Sequence, residues 1–273
     1  MGGIAELLVV DAGNTNLKIG LADRTGLQAS FCLPTPASAT ADSLGLEISG
    51  LLDSSGFSRK KIKAWAVSSV VPRLDRAISG AGRRWFSCPV YFVPADIPVP
   101  VANHYKRPAE VGADRLVTAY SATRLFSSRA FIVVDFGTAT TLDCIRDGKY
   151  LGGLICPGVL SSVQALGTQT AKLPQVSLEG KAEGCPDIRI GESTRESLEN
   201  GLLFGFAALV QGLCARLKDI VGGGPLVVAT GGLARDIAAI CPEIDSVCED
   251  LLLKGLQTIF YESFNQDLGE ERT

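Results

Sequence analysis

Two stretches of the chain share one pattern of apolar and polar positions. LLVVDAGNT (residues 7–15) and FIVVDFGTA (131–139) align without a gap, each an apolar run ending in Asp-x-Gly and small polar residues. A second apolar segment follows each, at 17–22 and 140–145, closed by Asp23 and Asp147. Each copy reads as a strand entering a tight turn and returning as another strand. The two lie about half the chain apart, which predicts two similar α/β domains rather than a short-period solenoid.

Around these anchors the period alternates. Strand-like runs fall at 28–33, 64–71, 90–93, 150–155 and 226–229, and helical periodicity at 41–52, 73–84, 114–126, 157–166, 192–217 and 251–264. Strands interleaved with helices predict an α/β class with layered sheets. The boundary is expected near 120–128, giving domains 1–122 and 123–273. Residues 172–190, rich in Gly, Pro and charge, read as an exposed or mobile loop, and 265–273 as a polar tail.

At 273 residues, 46% hydrophobic and 20% charged, the chain has ample material for a folded core. A net charge of -3 argues against a protein that grips a nucleic-acid backbone with massed Lys and Arg. The eight cysteines include no CxxC pair, and the single histidine, His104, cannot complete a Cys/His zinc cluster. They are expected to be buried small residues in a reducing cytoplasm. The N-terminal MGGIAE lacks a basic signal-peptide region, and no uninterrupted apolar run reaches the roughly 18–20 residues of a membrane span. The expectation is a cytoplasmic protein with no membrane partner.

Chemistry concentrates in three places. In Asp11, Ala12, Gly13, Asn14, Thr15, Asn16, Leu17 and Lys18, glycine permits close backbone approach, so amide groups can converge on phosphate oxygens. Asn14, Thr15 and Lys18 add donors and charge, and Asp11 can hold a hydrated magnesium ion bridging the phosphates. A plain hairpin turn, for which Gly-Asn is common, is the alternative. The second hairpin, with Asp135, Gly137, Thr138, Thr140 and Thr141, is the same device with hydroxyls in place of Asn and Lys. Gly231 and Gly232 follow an apolar strand, where flat backbone can lie beneath a base or ribose.

The third place is Tyr105 to Arg115, where Gly112, Ala113, Asp114 and Arg115 stand at the entry to a helix. Asp114 can take a proton from an alcohol and Arg115 can clamp a carboxylate, as a kinase of an acidic alcohol requires. An N-capping Asp beside a solvated Arg is the competing reading. No GxxxxGK[ST], GxGxxG or GxSxG element occurs. Phosphate hairpins on duplicated domains point to the actin, sugar-kinase and Hsp70 superfamily: two ribonuclease-H-like, actin-like ATPase domains around a central nucleotide cleft.

Together these residues resemble the type III pantothenate kinase family, over nearly the whole chain. The matching elements include DAGNT with Lys18, SSVVP at 68–72, EVGADR at 110–115, DFGTA at 135–139, Gly152 and Gly153, Pro157 and Gly158, Thr194, and ATGG at 229–232. The resemblance implies ATP-dependent phosphorylation of pantothenate with Asp114 as base. Asp11 to Lys18 and Thr138 would bind ATP, with magnesium at Asp11. Asp135 would ligate potassium or ammonium, and Tyr105, Gly112, Ala113, Asp114, Arg115 and Thr194 would contact pantothenate. Relatives are homodimers, so a homodimer is expected; the helical stretches 114–126 and 192–206 are apolar on more than one face, a pattern that burial between subunits and burial inside one large monomer explain equally well. The alternatives are another hydroxy-acid kinase of the superfamily and a non-catalytic nucleotide-binding regulator.

Overall fold

Leu7, Leu8, Val9 and Val10 are all fully buried in the computed structural model, which describes residues 5–169, 174, 176–178, 180 and 187–266. They form strand β1 (Leu7–Ala12), whose alternate residues enter different cores: Leu8, Val10 and Ala12 one, Leu7 and Val9 another. A strand covered on both faces has no use for a polar position, hence the continuous apolar run.

β1 pairs antiparallel with β2 (Asn16–Asp23), and β2 with β3 (Gly26–Pro34). Helix α1 (Ala41–Ser54) follows, opened by a capping box between Thr40 and Ser43. The chain returns through β4 (Ala64–Ser69), parallel to β1, then α2 (Pro72–Trp85), with Pro72 in its first turn, and β5 (Val90–Val93), parallel to β4. The sheet order is β3-β2-β1-β4-β5. The short strand β6 (Ala102–Asn103) and helix α3 (Ala113–Leu125) lead to the second copy.

That copy comprises β7 (Ala130–Phe136), β8 (Ala139–Arg146), β9 (Lys149–Pro157), α4 (Val159–Gln169), α5 (Thr194–Val221), β10 (Leu226–Gly231), α6 (Ala234–Ala238) and β11 (Ser246–Val247). Its order, β9-β8-β7-β10-β11, repeats the first sheet strand for strand, with β6 added beside β9. The β2–β3 and β8–β9 ladders even carry bulges at similar places, Leu21/Ala22 and Cys144/Ile145. The duplication read from two nine-residue strings therefore extends through the whole topology.

The two compact units are not two contiguous halves. Unit 1 comprises Met1–Val101, Ala109–Ser121 and Leu251–Thr273, and unit 2 comprises Ala102–Pro108 and Ala122–Asp250. The main crossing falls inside α3, between Ser121 and Ala122. The departure is α7 (Leu251–Gln266), whose Leu252, Leu253, Leu256 and Ile259 pack with Leu7, Val9, Val117 and Tyr120 of unit 1. Gln257 also donates to the Asp23 carbonyl at 3.0 Å. An amphipathic helix goes where its complementary apolar face is, and sequence position does not reveal that.

In unit 2, Glu199, Leu203, Ala207, Val210, Cys214, Leu217 and Val221 line the buried side of α5 against the sheet. By length and composition alone this helix could cross a membrane. Cys88, Cys144, Cys214, Cys241 and Cys248 are buried, as expected, but Cys32 is exposed and Cys156 half-exposed. Most of 172–186 and all of 267–273 lie outside the described residues. Leu178, expected in an exposed loop, is instead 1% exposed and part of the unit 2 core.

Candidate active site

In unit 1 the turn between β1 and β2 closes when the Gly13 N–H donates to the Asn16 carbonyl at 3.0 Å. Thr35, just past β3, fixes it from the side: its hydroxyl donates to the Gly13 carbonyl at 2.6 Å and its N–H to the Thr15 carbonyl at 2.8 Å. Asn14, Thr15 and Asn16 are exposed at the tip, with Asp11 and Lys18 paired in register just below. Ala12 and Leu17, also expected to bind phosphate, turn their side chains into the core and offer only main-chain groups. Strand alternation requires this division.

Asp114 sits in the first turn of α3, where its Oδ1 accepts the Arg115 N–H at 2.8 Å. That bond joins adjacent residues inside the helix, so the carboxylate is not acting as an N-cap. A Cβ on Gly112 would collide with Asp114 Oδ1 and stand 3.7 Å from Val70, whose N–H donates to the Ala12 carbonyl at 3.1 Å. Residues 112–114 are thereby brought beside the hairpin, where the parallel strands β1 and β4 end, the usual ligand edge of such sheets. Burial pushes the Asp114 carboxyl above its ordinary value, only partly offset by the Arg115 N–H and guanidinium.

In unit 2 the corresponding turn closes from the Gly137 N–H to the Ala139 carbonyl at 3.2 Å, leaving Thr138 exposed. The Thr138 carbonyl accepts the Ser161 hydroxyl at 2.7 Å, and a Cβ on Gly158 would collide with it. Asp135 is half-buried near the end of β7, beside Thr230 of β10. Gly231, at φ +94°, lies so close that a Cβ there would stand 2.7 Å from Asp135 Oδ1 and 2.6 Å from the Phe136 carbonyl oxygen. Tyr105 belongs to the same unit and rests on Gly152.

The expected residues therefore form three local groups: Asp11–Lys18 with Gly112–Arg115, Asp135 and Thr138 with Gly158 and Gly231, and Tyr105 with Gly152. Thr194 is the exposed first residue of α5, after N-cap Ser193, and among the described residues it makes no hydrogen bond with the others. Thr35 and Ser161 carry no motif of their own, and only their positions in the fold reveal that they brace the two turns.

The donor sets suit hard cations. Gly231 lets its backbone lie close against the Asp135 carboxylate and the Phe136 carbonyl, oxygen donors of the type hard cations take. Among the described residues no cluster of three or more His, Cys, Asp or Glu exists. A divalent ion at Asp11 would thus rest on one carboxylate and phosphate oxygens, as magnesium does in kinases.

Comparison with known proteins gives the fold and the family. The solved structures most similar to the chain include a protein of Campylobacter jejuni described as a Baf family transcriptional activator, with TM-score 0.57, 20% identity, and coverage of 94% of this chain and 99% of that one. The activator of 2-hydroxyisocaproyl-CoA dehydratase from Clostridium difficile matches with TM-score 0.54 at 15% identity, covering 98% of each chain. These likenesses show the fold, that of actin-like ATPases and their relatives. Type III pantothenate kinase from Nitratidesulfovibrio vulgaris (Miyazaki F) is 50% identical over 94% of this chain and 97% of its own length. The Desulfovibrio desulfuricans enzyme is 46% identical over the same shares. Since the profile of type III pantothenate kinases also matches residues 7–216, the chain belongs to the type III pantothenate kinase family.

Proposed function

We propose that Asp114 is the general base with which this chain phosphorylates pantothenate. The reaction is that of its family: the γ-phosphoryl group of ATP passes to the primary hydroxyl of pantothenate, giving 4′-phosphopantothenate and ADP, the first step of coenzyme A biosynthesis. The observation that carries the assignment to Asp114 is its half-buried carboxylate, held by the Arg115 N–H at 2.8 Å beside the β1–β2 turn. As the hydroxyl oxygen bonds to phosphorus, the bond to the β–γ bridging oxygen breaks, ADP departs with its electron pair, and the hydroxyl proton passes to Asp114. A carboxyl raised by burial is a better acceptor than an ordinary aspartate, though still far weaker than an alkoxide, so transfer is late and orientation of the hydroxyl is half its task.

Gly13 to Lys18 and Thr138 supply donors to the ATP phosphates, and Arg115 pairs with the pantothenate carboxylate, with Tyr105, Gly112, Ala113 and Thr194 completing the contacts. Asp11 would hold magnesium, and Asp135 with the Phe136 carbonyl potassium or ammonium, whose charge offsets that spread over the phosphate oxygens. Positioning and charge supply most of the rate in such transfers.

The protein acts as a homodimer in this reading. Gly201, Gly205, Ala208, Gly212 and Ala215 form an exposed stripe on α5 opposite its buried side, and a Cβ on any of the three glycines would meet nothing within 4 Å. A second helix can approach closely there.

The test is ADP release by the purified protein with ATP, magnesium and pantothenate, run in potassium, ammonium and sodium buffers with the product identified by mass. Pantothenate-dependent release that needs potassium or ammonium supports the assignment. Turnover equal in sodium removes the cation role of Asp135. Unaltered turnover by Asp114→Asn removes the base.

A further inference from the structure

We infer that Asp143 and Tyr150 are positioning residues for Tyr105, a buried pair through which the fold sets the pantothenate contact. The inference rests on the reading of Tyr105 as a substrate contact.

Asp143 lies in β8 and is 2% exposed, and Tyr150, in β9, is fully buried. A carboxylate in such a place is costly unless its oxygens are satisfied. The Tyr150 hydroxyl donates to Asp143 Oδ1 at 2.6 Å and the Thr141 hydroxyl to Oδ2 at 3.2 Å. The first is in the short range of a charge-assisted bond and fixes the phenol ring from its far end.

Tyr105 is tied to Tyr150 in two ways. Through the main chain, Asn103 pairs in register with Tyr150, and the His104 N–H donates to the Tyr150 carbonyl at 2.9 Å. The Asn103 side chain then turns the next residue, accepting the Tyr105 N–H at 3.0 Å. Through the rings, the centroids of Tyr105 and Tyr150 are 6.4 Å apart at a 45° tilt, a distance at which aromatic edges and faces interact.

The two glycines of β9 make this possible, each for a different partner. Gly152, at φ +121°, lies under the Tyr105 ring, and a Cβ there would stand 3.3 Å from Cδ2 and Cε2. Gly153 is in register with Asp143, and a Cβ there would stand 3.0 Å from Oδ1 and collide with the Leu142 carbonyl. The half-exposed Tyr105 ring thus lies on surfaces whose shape the Asp143–Tyr150 bond maintains. Asp143 sits on the opposite face of β8 from Leu142 and Cys144, which serve the unit 2 core.

The experiment compares KM for pantothenate, KM for ATP and kcat in Tyr105→Ala, Tyr150→Phe, Asp143→Asn and the wild type. Tyr150→Phe keeps the ring and loses only the hydroxyl, so it separates positioning from bulk. It should raise KM for pantothenate about tenfold, with kcat and KM for ATP changed less than about twofold, and Asp143→Asn should show the same split. If Tyr105→Ala raises KM for pantothenate but Tyr150→Phe does not, the positioning inference fails and the substrate reading stands. Should Tyr105→Ala leave that KM unchanged, both fall together. Equal losses for both substrates in Tyr150→Phe would mark a purely structural bond and also overturn the inference. Should Asp143→Asn fail to fold, Tyr150→Phe decides alone.

Discussion

Gly231 is fitted to Asp135: a Cβ on the glycine would stand 2.7 Å from the carboxylate and 2.6 Å from the neighbouring Phe136 carbonyl. The backbone there is also at φ +94°, a conformation L side chains rarely adopt. Gly231→Ala should therefore lower stability by about 1–3 kcal/mol and force both oxygens to shift. The informative readout is cation dependence. Turnover of the variant in potassium should fall to its level in sodium, and a variant that keeps its full potassium stimulation would remove the site from between β7 and β10.

Asp114→Asn should retain the fold and much of the ATP affinity while losing at least about two orders of magnitude in kcat, the scale of general-base contributions. Its stability should move the other way. Because burial raises the carboxyl above its unfolded value, the folded chain holds that proton to higher pH than the unfolded chain does. Stability then falls as pH rises through the interval between the two values, and above it the folded protein bears the full cost of a buried carboxylate. The variant should melt higher than the wild type near about pH 8, with the gap closing as pH falls toward the ordinary carboxylate value of about 4. The same shift places the acid limb of the wild-type pH–rate profile above that of an ordinary aspartate. An unchanged melting temperature at every pH would contradict the burial argument.

Much of this site was legible because its parts are short and local. A strand, a glycine turn and a returning strand occupy about a dozen residues, so both hairpins and their duplication could be read directly, as could Gly112 to Arg115 at a helix entrance. What escaped depends on long-range packing. The placement of α7 in unit 1 follows from the fit of Leu253 and Leu256 to β1, which no local pattern encodes. Asp143 falls within the segment 140–145 read as apolar, and it meets the Tyr150 hydroxyl only through the pairing of β8 with β9. Leu178 reads as loop by composition, yet its side chain lies in the unit 2 core, with Val176 packed against the same core.

Arg115→Ala tests the substrate's charged end. A guanidinium–carboxylate pair in a partly buried setting contributes about 1.5–3 kcal/mol, so KM for pantothenate should rise roughly ten- to hundredfold. KM for ATP should change little. Lys at this position should recover only part of the loss, because it keeps the charge without the two-pronged geometry. Matching increases for both substrates would instead assign Arg115 to holding the start of α3, where its N–H already binds Asp114.

Gly205→Glu tests the dimer. The site lies mid-helix in α5, on the side facing away from Leu203, Ala207 and Val210, and nothing lies within 4 Å of a Cβ placed there. Glutamate is a better helix former than glycine, so within one chain the substitution should be neutral or slightly stabilising. Across a close helix–helix contact it would put two charges where only small residues fit, and repulsion with desolvation would separate the subunits. Light scattering should report a dimer for the wild type and a monomer for the variant, with unchanged circular dichroism. Thr194 opens the same helix, so the monomer should also show a raised KM for pantothenate if the contact at Thr194 depends on the pairing of two α5 helices. A variant that remains a dimer would move the interface away from this stripe.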